Sequence, residues 1–274
     1  MTMAGGGRFT LGLLALLLAA SAFPAQVCAQ QPTQPKHYIP EELRAADPEI
    51  RHLLDAARDA ADNGEYDDAA SKAEKALALA RSRGFVGDRA LAETAVGEAT
   101  AAKGKLDDAK VLYRAALQDA VDASNPVLES VLLGIFGAYS QIEGKLDDSL
   151  AQLGKGVDAA RRSQNVYAIS NALGALARVQ LVTHKLPEAR ASLDEALRID
   201  GLNHYDDLKS LHLVYLAYVI GMESPKEPEK PLPQVEEAID AAISSENYYA
   251  LSLGVAGVGA TYVYEGKAEQ GLPI

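Results

Sequence analysis

The side chains best suited to proton transfer or metal ligation are five histidines: His37, His52, His184, His204 and His212. A zinc site on one helix needs two of them at i, i+4 around a glutamate, so that both imidazoles leave the same face. No pair has that spacing. His204 and His212 straddle the start of one predicted helix, too far apart to share a site without other ligands. The single cysteine, Cys28, lies in an N-terminal segment of unusual composition. No serine sits in a nucleophile-elbow motif. The string "LSLGVAGVGATY" (251–262) has the glycines of a phosphate loop, but no strand precedes it. Gly254, Gly257 and Gly259 instead fall where helices cross. Paired aspartates follow two Gly-Lys-Leu runs, at 107–108 and 147–148, and could in principle hold a cation. Each pair also opens a predicted helix, where carboxylates meet unpaired N–H groups and the positive end of the dipole. These residues point to no catalytic group, no metal and no cofactor, and the chain is expected not to be an enzyme.

Composition narrows the setting. The chain of 274 residues carries a formal charge of −12. Residues 1–29 read as a secretory signal peptide: Arg8, an apolar run from Thr10 to Phe23, and small or modest residues at Val27 and Ala29 before the cut. The run is too short to span a bilayer. Cleavage removes one of the 26 basic residues and none of the 38 acids, so the mature charge becomes −13. It also removes Cys28, which excludes disulfides, thiolate metal sites and thiol nucleophiles. Nucleic acid is an unsuitable partner, because phosphate binding needs clustered Lys and Arg. No later stretch is expected to span a membrane. The reading is an exported protein, periplasmic or secreted.

The elements that must position any site come from an internal repeat. "NGEYDDAASKAEKALALA", "KGKLDDAKVLYRAALQDA", "EGKLDDSLAQLGKGVDAA" and "THKLPEARASLDEALRID" align on Gly64, Gly104, Gly144 and His184, 40 residues apart each time. A fifth copy, "KPLPQVEEAIDAAISS", is offset by an insertion, and a sixth starts at "EGKAEQGLPI". From Leu106 the apolar positions continue through Ala109, Leu112, Tyr113, Ala116, Leu117 and Ala120, the helical period. Each unit is therefore a helix, a turn and a second helix. The landmark glycine caps the first helix in the left-handed conformation. Gly-Lys-Leu-Asp-Asp reads as a stop, a buried Leu and a charged start.

This pattern resembles the tetratricopeptide repeat, in a variant of about 40 residues per unit rather than 34. The small residues of that family match Ala57, Gly97, Gly137, Ala177, Ala217 and Gly259 in the first helices. In the second helices they match Ala69, Ala109, Ser149 and Ala189, then Ala76, Ala116, Gly156 and Ala196. The large residue after the turn is Tyr66, Leu106, Leu146, Leu186 or Leu232. His184 in place of glycine, Val235 in place of alanine and the missing tryptophans depart from the pattern. The resemblance implies an all-α fold, a right-handed α-solenoid of stacked antiparallel helix pairs over 48–274, with five pairs and an incomplete sixth. One pair cannot bury its apolar face alone, whereas stacked pairs share a core.

The resemblance also implies that first helices line a concave groove binding a protein or peptide. By register the groove candidates are Arg58, Glu98, Gln141, Asn171, Arg178, Tyr215 and Tyr218. Arg178 and Asn171, seven apart on one helix, form the pair best placed to hold a carboxylate or backbone group. The Lys/Asn set with which some family members grip a C-terminal carboxylate is absent; its positions hold Leu54, Arg58 and Thr94.

The ends are irregular. Residues 30–47 are rich in Pro and Gln and read as a linker, flexible to 40, with Asp47 capping a helix that starts at Pro48. Asn125-Pro126 opens another unit. "MESPKEPEKPLP" (222–233) reads as an inserted loop. The last full helix is very apolar and its packing partner stops after ten residues. Either 247–274 meets a partner, a second copy included, or the natural polypeptide is longer. The leading reading is a non-enzymatic interaction scaffold of the cell envelope. The alternative is the N-terminal docking or sensor region of a larger enzyme or signalling protein, and a weaker third is a small-ligand carrier at the tyrosine-rich end.

Overall fold

The computed structural model describes residues 39–255, apart from Pro225, Lys226, Pro228 and Tyr248. Residues 1–38, which the sequence reads as a signal peptide and the start of a linker, and the stretch from 256 with Gly257 and Gly259 lie outside the described residues. Among the described residues the regular structure is helical: a short 3-10 turn, Glu41–Leu43, then ten α-helices described from end to end, and helical residues again at 249–255. They are α1 (Pro48–Asp62), α2 (Tyr66–Arg83), α3 (Val86–Ala102), α4 (Leu106–Asp122), α5 (Pro126–Ile142), α6 (Leu146–Ser163), α7 (Val166–Val182), α8 (Leu186–Asn203), α9 (Asp206–Glu223) and α10 (Leu232–Ser244). No described helix is long and apolar enough to cross a membrane.

The chain divides into two compact units. An N-terminal unit holds the described residues up to Ser140 together with Ala151–Ala168. A C-terminal unit holds Gln141–Leu150 and the chain from Ile169 onward. In the N-terminal unit consecutive helices pack α1 on α2, α2 on α3 and α3 on α4; α1 also meets α3, as stacked pairs require. In the C-terminal unit α8 packs on α9 and α9 on α10.

The small residues sit where the register places them. Ala57, Ala76, Ala116, Ala177, Ala189, Ala196 and Ser149 are buried. A Cβ on Gly97 would lie 2.6 Å from the Tyr113 ring, and one on Gly137 would lie 2.6 Å from Leu153. Tyr113 and Leu153 thus fill the space that the glycines leave, which is how close crossings are made without voids. Val235, the departure in the fifth copy, is buried against Ala217.

The turns explain the repeated pentapeptide. Gly64, Gly104 and Gly144 have φ of +78°, +78° and +74°, and His184 takes the same left-handed region at +57°. The chain then closes a Schellman-type bond, from Lys105 N to Thr100 O at 3.2 Å and from Lys185 N to Gln180 O at 2.8 Å. Asp107 and Asp108 open α4, and Asp147 and Asp148 open α6, as expected for dipole-stabilised carboxylates. Asp47 caps α1, its Oδ1 accepting from the N–H groups of Glu49 and Ile50. One expectation needs correction: Leu106 is not buried but 41% exposed. It is the first residue of α4, just past the turn, so solvent reaches one of its sides.

The second connection of each unit uses the same device, with glycine only in the first. Ser124, Gln164, His204 and Glu246 have positive φ, as does Gly84. The bonds Asn125 N to Ala120 O and Tyr205 N to Asp200 O close these turns. A cap at Gly104 has no neighbour within 4 Å of an added Cβ, so only the backbone resists substitution. Gly104→Val should therefore cost about 1–2 kcal/mol, the left-handed penalty of a β-branched residue. Unchanged thermal unfolding of that variant would refute the capping role.

Candidate functional site

The seven groove candidates all lie on odd-numbered helices, and they divide between the units. In the N-terminal unit, Arg58 on α1 and Glu98 on α3 line one cavity of about 430 Å³ with Leu54, Tyr66 and Thr94. Arg58 donates to Asp55, 3.1 Å away. Glu98 is open to solvent, yet protein surrounds it on most sides because it looks into a concavity. The lost hydration raises its pKa above the ordinary carboxylate value; Arg58 opposes the shift and Asp62 adds to it. Two of the three positions where the family's carboxylate grip would sit, Leu54 and Thr94, are buried in the cavity wall.

The C-terminal unit brings together Gln141, Arg178, Tyr215 and Tyr218. The Arg178 guanidinium donates to Gln141 Oε1. No carboxylate among the described residues pairs with Arg178. Burial pushes the Tyr215 hydroxyl above its usual pKa, against the pull of Arg178. Tyr215 is also hydrogen-bonded to Tyr249, which is 41% exposed. Tyr218 is pushed up to about 12 by burial and by the neighbouring Tyr249. Two polar atoms here have no partner among the described residues: Gln141 Nε2 and Tyr218 Oη, on side chains that are more than nine-tenths buried. Native proteins rarely leave such atoms unsatisfied; both atoms are closed to solvent, so an outside polar group reaches them only if the side chains over them move. Asn171, seven residues before Arg178 on α7, is exposed, and Arg178 is held by Gln141.

Sequence reasoning missed a second polar cluster in this unit. Ser170 Oγ on α7 donates to Asp200 Oδ1 on α8 at 2.5 Å, and His212 Nδ1 on α9 lies 2.7 Å from Asp200 Oδ2. All three residues are at most 1% exposed. The types are those of a catalytic triad, but the order differs: the serine faces the carboxylate, not the imidazole. The arrangement ties three helices together. Asp200 was hidden because it sits in a polar-looking helix end, "ALRIDGLN", with no pattern marking it as buried. No group of three or more potential metal ligands occurs among the described residues.

The stretch before α1 is also better ordered than its composition suggests. Pro40 and Ala45 are buried. Ile39 and Leu43 line the same 430 Å³ cavity as Arg58 and Glu98.

No family model and no curated protein matches the chain. Solved structures do. BtubC (BKLC) from P. vanneervenii superposes with a TM-score of 0.59 at 15% identity, covering 83% of this chain and 88% of that one. The kinesin light chain-like, nearly identical TPR-like repeats from Podosopora anserina superpose with a TM-score of 0.54 at 14% identity, over 74% and 99% of the two chains. A point variant of the latter gives 0.55 at 12%, over 77% and 100%. At these identities the likeness is one of fold: the described residues have the all-α architecture of a TPR-like solenoid, stacked helix pairs.

Proposed function

We propose that this chain is a non-enzymatic protein-interaction scaffold of the cell envelope, exported through residues 1–29, that binds a protein or peptide through its odd-numbered helices. A TPR-like repeat is generally a platform for protein partners. The observation that carries the reading is the cluster of Arg178, Gln141, Tyr215 and Tyr218. It offers a guanidinium without a carboxylate and two buried polar atoms without partners, beside an exposed tyrosine. Such a constellation is suited to a carboxylate or backbone carbonyl brought to Arg178 by a partner, with the exposed Tyr249 as the anchor and the buried Tyr215 and Tyr218 supporting it from below. Arg58 and Glu98 would add a second contact point, and Asn171 a rim contact.

The test is capture of partners from envelope extract by the tagged chain and its Arg178→Glu variant. Arg178→Glu should lower capture of specific partners by about tenfold or more, on the order of the loss of a charge-assisted contact, while circular dichroism stays helical. Equal capture by both proteins would remove Arg178 from the site. Export is checked separately, by fusing residues 1–47 to a reporter active only outside the cytoplasm; a silent reporter would sink that part.

A further inference from the structure

In the N-terminal unit the segment Ile39–Asp47 is held across the starts of three successive odd-numbered helices. At α3, Asp88 accepts the N–H groups of Ala46 at 2.8 Å and Asp47 at 3.0 Å. At α5, Asn125 Nδ2 donates to the Glu42 carbonyl at 2.6 Å. At α7, Asn165 Nδ2 reaches both oxygens of the Glu42 carboxylate, at 3.2 and 3.3 Å. Asn125 and Asn165 occupy the same register, one repeat apart. Each uses its Oδ1 to cap its own helix, accepting from Leu128 N at 3.1 Å and Ala168 N at 3.0 Å. The cap settles which end of the amide points outward: the oxygen is committed, so the Nδ2 donors must face the segment. Repetition of the cap thus builds a ladder of donors spaced by the repeat itself.

The segment does not fill the place it occupies. Ala45 is 1% exposed and belongs to the core with Ile50, Leu54 and Ala57, so the end near α1 is anchored. On the N-terminal side of Ala45 the chain is more exposed: Glu41, Glu42 and the extended Arg44 are exposed, Ile39 and Leu43 are half-buried, and only Pro40 is buried. A cavity of about 430 Å³ remains beside Ile39 and Leu43. A strap built only to close the core would be expected to fill that space. This one makes backbone and carboxylate contacts at two far helices and leaves the apolar wall partly open.

We infer that Asn125 and Asn165 form a recognition surface for a short, turn-forming peptide, and that Ile39–Arg44, with its 3-10 turn at Glu41–Leu43, is its resident occupant in cis, hinged on Ala46 and Asp47 at Asp88. The occupant defines the chemistry of the partner: a segment with an apolar residue, an acid three positions on inside a single 3-10 turn and a leucine after it, as in Ile39, Glu42 and Leu43. Such a segment binds in trans by displacing the strap while Ala45–Asp47 stay anchored. The inference rests on the scaffold reading and gives one surface of it a partner class.

The experiment uses the full chain and a fluorescent peptide, HYIPEELRAAD, followed by anisotropy. Glu42→Ala/Leu43→Ala in the chain loosens the strap and raises the fraction of open sites, so the peptide should bind about tenfold tighter than to the wild type. Adding Asn125→Asp and Asn165→Asp keeps both helix caps but turns the outward donors into acceptors, and binding should vanish. A serine pair at the same positions, which caps without an amide, serves if the aspartates disturb helicity. A peptide with Lys at the Glu42 position should fail in every chain. Equal affinity for wild type and loosened chain, or binding that survives the Asn substitutions, overturns the inference. If the peptide fails while Arg178-dependent capture persists, only this inference falls; if capture also fails, the scaffold reading falls with it.

Discussion

Gly174→Val should be the most destabilising single substitution among the described residues, at about 3 kcal/mol or more, the upper range for forcing atoms into a packed core. A Cβ at this position would stand 2.0 Å from His212 Nε2 and 2.5 Å from its Cδ2. Neither atom can withdraw easily. The ring is 1% exposed, and its other nitrogen is tied to Asp200, itself fully buried. To clear the methyl the imidazole must break that bond inside the core, or α7 must move away from α9. Alanine at 174 already carries the offending carbon, so Gly174→Ala should show most of the loss. Chemical denaturation of the two variants decides it. Stabilities within about 0.5 kcal/mol of wild type, the range of an ordinary surface substitution, would mean that α7 and α9 are not in this contact.

His212→Leu is expected to follow closely, at about 3 kcal/mol, because it strands one oxygen of a buried carboxylate. Asp200 would keep only the Ser170 hydroxyl, at zero exposure. The informative measurement is the double variant. Replacing both partners by apolar residues removes the stranded group, so His212→Leu/Asp200→Leu should recover much of the stability lost by His212→Leu alone. Simple addition of the two single losses would refute a coupled network. A shortfall relative to addition is also expected for Gly174→Ala combined with His212→Leu, since leucine can adopt rotamers that avoid the new methyl.

The limits of sequence reading are visible in these residues. Gly64, Gly104 and Gly144 announced their turns because glycine is the usual occupant of a left-handed cap. The matching turns at Ser124, Gln164 and His204 are as regular in backbone but carry side chains, so no residue type marks them. Leu106 was expected in the core from its periodicity, and 41% of it remains exposed, because its place at the helix start leaves one side uncovered. The spacing of Arg178 and Asn171 reads as one face holding an outside group; that face does not reveal that Arg178 also reaches Gln141, 37 residues away on another helix. Helical spacing says which residues share a face, not which neighbouring side chain reaches across to them.

By itself, then, the amino-acid order determined the helix pairs, the 40-residue register, the acidic helix starts and the small residues at crossings. Each of these rests on contacts within a few residues or on a pattern that recurs, and both are readable along a string. The tertiary structure alone decided that Ser170, Asp200 and His212 meet, that two buried polar atoms beside Arg178 stay unpartnered, and that Glu42 reaches Asn125 and Asn165, 83 and 123 residues away. Those pairings depend on how far one helix slides against the next and which way each side chain leaves it. Shifts of about an ångström make or break a hydrogen bond, and no local preference encodes them.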